Sequence, residues 1–414
     1  MPGSAGVPVK LRGAPSRWQW VWFFLLCPLT VDAYPPLQLY VTLTAPGAEL
    51  WLEPGIYSGP AVIDRPITIK GGGRATIDGG GDGTVITVRA DGVTLRGLRI
   101  VNSGDSHDRL DAGIALLAND ARIEDNVIED VLFGIQLKES HDSVVRGNRV
   151  SSRDVEPSLR GEGLRLWGSS DNLIVDNSFE QVRDLFITNS PDNRFVHNQV
   201  RNSRVAMEFV FSPGNRVENS LIEQSGRGIV IVYSDDIRLA GNLFRHLRSF
   251  AGSALSLKES SQILIEDNQI LHCAVGVTAN APIHPENTFR MVNNHFAFND
   301  IALYFYGEKG GHVIRGNRFE HNLRQVAVSH PLSARLQEWR NNHWDDYQGF
   351  DLDGDGVGDT PYQMHLYSDR IWLDRPMTQF FRGSPVMQAI DFAERLLPLS
   401  APELVLCDPA PRMR

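Results

Sequence analysis

A three-residue phrase, Asn followed by a variable residue and then a large apolar one, returns ten times between residues 126 and 344. It reads Asn126-Val127-Ile128, Asn148-Arg149-Val150, Asn177-Ser178-Phe179, Asn198-Gln199-Val200 and Asn219-Ser220-Leu221. It continues as Asn242-Leu243-Phe244, Asn268-Gln269-Ile270, Asn294-His295-Phe296, Asn317-Arg318-Phe319 and Asn342-His343-Trp344. The steps between the asparagines are 22, 29, 21, 21, 23, 26, 26, 23 and 25 residues. A period in the low twenties is that of a solenoid, in which each repeat buries its apolar face against the next. The residue two places after Asn is apolar and points inward, while the one between is mostly polar and points out, which is strand alternation.

A second column follows seven to nine residues after many of these asparagines, as in Gly134-Ile135-Gln136-Leu137, Gly163-Leu164-Arg165-Leu166, Gly228-Ile229-Val230-Ile231 and Gly276-Val277-Thr278. Its small residue suits a tight bend. Two or three short strands per coil with no helix between them describe an all-β fold, a right-handed single-stranded parallel β-helix. The Asn is expected to take the left-handed bend conformation and to bond the matching amide one coil away, because an amide is donor and acceptor at once.

The ends differ from the middle. Lys10, Arg12 and Arg17 precede a stretch, Trp18 to Val31, that is apolar except for Gln19 and Thr30. With Val31-Asp32-Ala33 as cleavage site this predicts a secretory signal peptide over residues 1–33 and a periplasmic location. The β-helix is expected over 34–345, with residues 34–60 capping its first coil, and a C-terminal tail over 346–414. Within the tail, Val386, Ala389, Ile390, Ala393, Leu396 and Leu397 lie at helical spacing between Pro385 and Pro398. This predicts a three-turn helix acting as a lid on the last coil, with contact to a membrane partner as the second reading.

The formal charge is −10 with no basic stripe, which argues against a nucleic-acid partner. Only Cys273 and Cys407 follow the leader, so no disulfide framework holds the fold; a bridge between the two remains open.

Three sets of residues could carry chemistry. Asp351, Asp353, Asp355 and Asp359, at relative positions 1, 3, 5 and 9 with Gly356 at 6, match the oxygen spacing of a calcium loop, with the Val357 carbonyl as a further ligand. Position 12 is Tyr362 and no helix precedes the loop, so it is calcium-loop-like rather than an EF-hand; its Ca2+ would pin the tail to the last coil. Four residues past the repeat Asn fall His246, His272 and His321, with Phe298 between the last two. His246 and His272 on adjacent coils are candidate Cu+ ligands. Asp105, Asp108, Asp111, Glu162 and Glu208 are candidate acids for a carbohydrate-binding or polysaccharide-modifying (lyase- or epimerase-like) protein. They form no recognisable catalytic constellation, so the first expectation is a non-enzyme. Insertions at 104–111 and 151–161 stretch the period, and insertions in a solenoid gather on one side that often binds.

The order of motifs resembles the NosD family. The phrases that carry it are Thr76-Ile77-Asp78-Gly79-Gly80-Gly81, Gly104-Asp105-Ser106-His107-Asp108, Asp130-Val131-Leu132-Phe133-Gly134-Ile135 and Gly163-Leu164-Arg165-Leu166-Trp167. In the tail they are Trp344-Asp345-Asp346-Tyr347-Gln348-Gly349-Phe350, the Asp loop through Pro361-Tyr362, and Phe380-Phe381-Arg382-Gly383-Ser384-Pro385. The resemblance implies a periplasmic, non-catalytic β-helix protein of nitrous oxide reductase maturation. Its implied partners are a membrane permease and an ATP-binding subunit in an ABC-type complex, with a copper chaperone lipoprotein and the reductase. The family pattern places Met before an aromatic-Ser pair in two consecutive coils; here those places read Val210-Phe211-Ser212 and Val232-Tyr233-Ser234. Valine offers no soft donor, so no thioether copper site is implied there. Met207 is expected in the core.

Overall fold

The computed structural model describes residues 34–250, 252–280, 288–307, 310–330, 332–366, 384–396 and 403–413. Two compact units divide at residue 33, Met1–Ala33 and Tyr34–Arg414. The first, where the signal peptide is expected, lies outside the described residues, as does Phe380-Phe381-Arg382-Gly383.

The second unit is a parallel β-solenoid of about 12 turns. While two early coils run the shorter pair of strands as one, Thr68–Asp78 and Thr94–Val101, most coils contribute one strand to a 12-stranded parallel sheet and two shorter strands to a sheet of 24. In one coil these are Phe133–Lys138, Val144–Arg146 and Arg149–Ser152. Inward residues stack in columns. Val145, Ile174, Phe195, Val217, Leu239, Ile265, Met291 and Ile314 form one, and every member is fully buried.

The bend between the two short strands is closed by the asparagines. Each donates its backbone N–H and its amide to the side-chain oxygen one coil on: Asn126 to Asn148 at 3.0 Å for both bonds, then Asn148 to Asn177 and Asn177 to Asn198. The amides also reach back to strand carbonyls, such as Asn177 to Val145 at 2.8 Å. Among the described residues no buried polar atom of this column is left over, and that accounting is what a buried seam requires.

Two expectations about the phrase change. At the fifth repeat the ladder member is Ser220, not Asn219: Asn198 donates to the Ser220 hydroxyl at 3.1 Å, and Ile222 is the inward residue. The left-handed residue is the one before the ladder Asn, as at Asp125 (φ 56°), Gly147 (65°), Asp176 (57°) and Asn219 (51°). The ladder Asn is thus freed to hydrogen-bond, while Gly, Asp and Asn absorb the backbone cost. The small residues that open the long strands are set by space rather than by a bend: a Cβ on Gly134 would lie 2.2 Å from the Gly163 carbonyl.

Both ends are sealed. α1 (Leu37–Leu43) buries Leu37 and Val41 on the first coil. Gln38 pairs with both backbone groups of Val62, at 2.7 and 3.2 Å, taking the place of a missing strand at the sheet edge. At the other end the stack Phe296, Phe319, Trp344 is extended by Tyr362 of the tail, with centroid spacings of 5.1, 4.5 and 4.4 Å. The tail strand Glu403–Asp408 pairs antiparallel with Tyr362–Leu366. Asp408 then receives the N–H and amide of Asn342 at 3.0 and 2.9 Å, ending the asparagine ladder with a carboxylate. A short helix, α2 (Leu332–Arg335), buries Ser333 and Ala334.

The expected helix is present as α3 (Pro385–Leu396). Three of its apolar residues are uncovered: Val386, Phe392 and Leu396 are each about two-thirds exposed, at 67%, 64% and 65%. Its apolar spacing is real, but the tail strand and the aromatic stack already close the rod. Among the described residues no helix is long and apolar enough to cross a membrane.

Candidate functional site

The outer face of the 12-stranded sheet carries one irregular stretch. From Gly134 to Ala254 the residues opening its long strands are Gly134, Gly163, Ala206, Gly228 and Ala254, interrupted by Asp184, which stands opposite Gly163 and Ala206 in the register. Asp184 is 1% exposed. Burying a carboxylate is unfavourable unless it is paired. Its Oδ1 accepts Arg183 Nε at 2.9 Å, and its Oδ2 accepts the Arg204 guanidinium.

Next to it, Glu162 is 2% exposed and sits where the 151–161 insertion re-enters the sheet. Its Oε1 takes both Arg183 and Arg165, the latter at 3.2 Å, whereas its Oε2 is buried with no hydrogen-bond partner among the described residues. The Arg165 guanidinium lies 5.5 Å from the ring centres of both Trp167 and Phe186. One coil further Glu208 faces outward, half-buried. Burial holds its carboxyl above the ordinary glutamate range and the charge of Asp184 adds to this, while Arg204, Arg227 and Arg183 oppose it.

The two insertions meet beside this stretch. His107 Nε2 lies 3.2 Å from the Leu159 carbonyl, its ring meets Phe133 edge-on at 5.6 Å, and Arg153 donates to the Ser103 carbonyl. Of the sequence candidates, Glu162 and Glu208 therefore join one cluster. Asp111 does not: it is buried as the pin of its own loop, accepting Ser106 N–H and Arg109, both at 3.0 Å. Asp105 and Asp108 are exposed. Asp184, Arg183, Arg204 and Arg227 were not singled out in the sequence; an acid in a column of Gly and Ala was the available signal.

In the aspartate loop, ligand atoms of Asp351, Asp353 and Asp355 lie within 4.8 Å of one another. Gly354 and Gly356 turn the chain at φ 73° and 83°, and Asp351 accepts the N–H groups of Gly354 and Gly356 at 2.7 and 2.9 Å. The Gly356 N–H leads the causes that hold Asp351 below the ordinary range. Asp353 is pushed up: the Asp355 N–H works the other way, but the charge of Asp355, burial and Asp351 outweigh it. Like charges in one small volume give this split, and the donor set fits a hard divalent cation. Asp359 instead accepts the Leu352 N–H at 2.6 Å, and Val357 bridges to Arg412, which stitches the loop to the chain end.

His246 and His272 do stand side by side, with ring centroids 5.2 Å apart and planes within 14° of parallel, continuing through Phe298 to His321. Imidazole lone pairs lie in the ring plane. Two stacked rings therefore direct them along parallel planes that do not converge on one ion, and the pair as arranged does not fit a shared copper. Phe211 and Tyr233 stack at 5.2 Å, each 54% exposed, and Met207 is fully buried in the core. His295 and His343 flank Glu320 at 2.9 and 3.7 Å. Cys273 and Cys407 are free thiols, and burial pushes Cys273 up to about 12.

Comparison with known proteins places this geometry. A family profile described as "Periplasmic copper-binding protein (NosD)" matches residues 149–349, and one described as "Right handed beta helix region" matches 68–206. A "Probable ABC transporter binding protein NosD" of Pseudomonas aeruginosa is 28% identical over 402 residues, covering 86% of each chain. A protein of the same name from Stutzerimonas stutzeri is 24% identical, covering 89% of this chain and 88% of its own. Among solved structures, the catalytic domain of an alpha-1,3-glucanase in complex with nigerose superposes with a TM-score of 0.57 at 14% identity, over 72% of this chain and 64% of that one. At that identity the likeness is one of fold. The matches to the relatives run through both the coils and the tail, and the chain is a divergent member of the NosD family.

Proposed function

We propose that the chain is the periplasmic, non-catalytic β-helix subunit of an ABC-type complex, exported by its N-terminal leader. In this reading it supports copper-site maturation of nitrous oxide reductase or a related metalloenzyme. The observation that carries the reading is the match to relatives named as ABC transporter binding proteins over 86% of both chains. The exposed apolar residues of α3 support a membrane partner. An amphipathic helix with Val386, Phe392 and Leu396 turned outward loses favourable burial until a permease covers it. Copper is held by a partner, a chaperone lipoprotein or the reductase, because the stacked His246 and His272 and the valines at 210 and 232 offer no converging soft donors.

Expressed with the permease and ATP-binding subunit encoded beside it, the chain should co-purify with both. The double variant Val386→Asp, Phe392→Asp should lose them with its melting temperature unchanged. Failure of the unaltered chain to bring down either subunit refutes the proposal. Calcium belongs to the same reading. Bound by Asp351, Asp353 and Asp355, it would fix the loop that Val357 and Arg412 tie to the last coil, so adding Ca2+ after chelation should raise the melting temperature, and Asp353→Asn should abolish the rise.

A further inference from the structure

The strip from Glu162 to Arg227 is not a closed ion-pair network. A closed network leaves neither a buried acceptor unused nor a charge unmatched. This one leaves both: Glu162 Oε2 is buried and accepts nothing, and Arg227, exposed three coils on, makes no side-chain ion pair among the described residues. Between them lie two carboxylates, Asp184 and Glu208, and the guanidiniums of Arg165, Arg183 and Arg204. With Arg227 included, cations outnumber carboxylates by one. Trp167, 44% exposed, and Phe186 add ring faces on which Arg165 rests.

We propose that this strip binds an acidic oligosaccharide lengthwise, sugar hydroxyls donating to Glu162 and the outward-facing Glu208 and sugar carboxylates accepting from Arg204 and Arg227. Three features select that class. The unused group at one end is an acceptor already neutralised by Arg183 and Arg165, so it asks for a neutral donor such as a hydroxyl rather than a second cation. The group at the other end that lacks an ion pair among the described residues is a cation, which asks for a carboxylate. Donor and acceptor sites recur coil by coil, about 4.8 Å apart, a spacing that a chain of repeating sugar rings follows and an irregular peptide does not. The half-buried carboxyl of Glu208, held above the ordinary range, can donate as well as accept when protonated, so it suits a position over a polyhydroxylated ligand.

Isothermal titration calorimetry of the full chain with oligogalacturonate, oligoalginate and a neutral cello-oligosaccharide of equal length tests this. Binding is expected for an acidic oligosaccharide and not for the neutral one, weakening as salt is raised. Arg227→Ala and Glu162→Gln should each lower the affinity roughly tenfold or more, the range for losing a hydrogen bond to a charged group. Should Glu162→Gln unfold, Arg227→Ala remains decisive, because Arg227 is exposed and makes no side-chain ion pair among the described residues. The proposal fails if neither acidic oligosaccharide binds, if the neutral one binds equally well, or if Arg227→Ala leaves the affinity unchanged. It also fails if polyglutamate binds as tightly as oligogalacturonate, which would make the strip a general anion surface.

Discussion

Asn148 and Glu162 belong to the same stretch of coil, and both are buried to 2% exposure or less. Asn148 uses everything it has: its N–H and amide go to Asn177, its amide also to the Ile123 carbonyl, and its oxygen takes two donors from Asn126. Glu162 uses one oxygen for two arginines, and its other oxygen has no partner among the described residues. The asparagine column is made of a group that complements itself, so each coil prescribes the next and nothing outside is needed. The charged strip is made of groups that complement only each other. An odd number of them, interrupted where an insertion loop enters, leaves a remainder at each end. Regular polar burial builds the rod, and irregular polar burial marks where the rod meets something else.

The sharpest way to break this contrast is to spoil the column. Asn177→Ala removes the acceptor of both Asn148 donors and the donor to the Val145 carbonyl. In a fully buried seam that should cost about 3 kcal/mol, read as a fall in the urea midpoint. Asn177→Ser should cost about 1 kcal/mol, because Ser220 already accepts the backbone bond at its own coil. Equal losses for Ala and Ser would mean that the column is held by packing and not by its hydrogen bonds. Asp408→Ala ranks next. It strands the N–H and amide of Asn342 and weakens the 3.3 Å contact from Trp344, for about 2 kcal/mol. The loss should show first as faster hydrogen exchange in the last coil, since a solenoid opens locally from its ends.

What the sequence made legible follows the same division. The repeat, the inward residue two places on and the amide ladder are readable because their spacing from Asn is constant. The phrase is ambiguous at the fifth repeat, where Asn219 and Ser220 are adjacent polar residues and Ser220 takes the ladder place. The left-handed residue lies one place before the expected one, because Asp, Gly and Asn precede the ladder position and share its turn chemistry. The charged strip was half visible: Glu162 and Glu208 stood out as acids, but Asp184 and its arginines did not. Glu162 lies 14 residues after Asn148 and its neighbour in the register, Arg183, only 6 after Asn177, so the insertion hid that they share a column. The exposure of Val386, Phe392 and Leu396 on α3 was not legible for a different reason. Helical spacing of apolar residues says that a face seeks cover, not that this chain supplies it.

Glu208 gives the finest test, because it is in the strip yet outside the ion pairs. Its folded-state carboxyl is raised, first by burial and then by Asp184, so the native state holds this proton more tightly than the unfolded chain does. The native state then binds more protons than the unfolded one, and stability falls as pH rises from the ordinary glutamate value of 4.5 through the raised value. Glu208→Gln removes that fall. Above the window the variant should melt higher than the unaltered chain, and below it the two should converge. The gain should be the smallest effect here, because the group is only half-buried and Arg204 and Arg227 already offset part of the penalty. Asn177→Ala, by contrast, should lower the melting temperature equally at both ends of the window, since an amide does not titrate. If Glu208→Gln behaves in that parallel way, the charge of Glu208 is as well satisfied as the asparagines are, and the strip loses its claim to being unfinished.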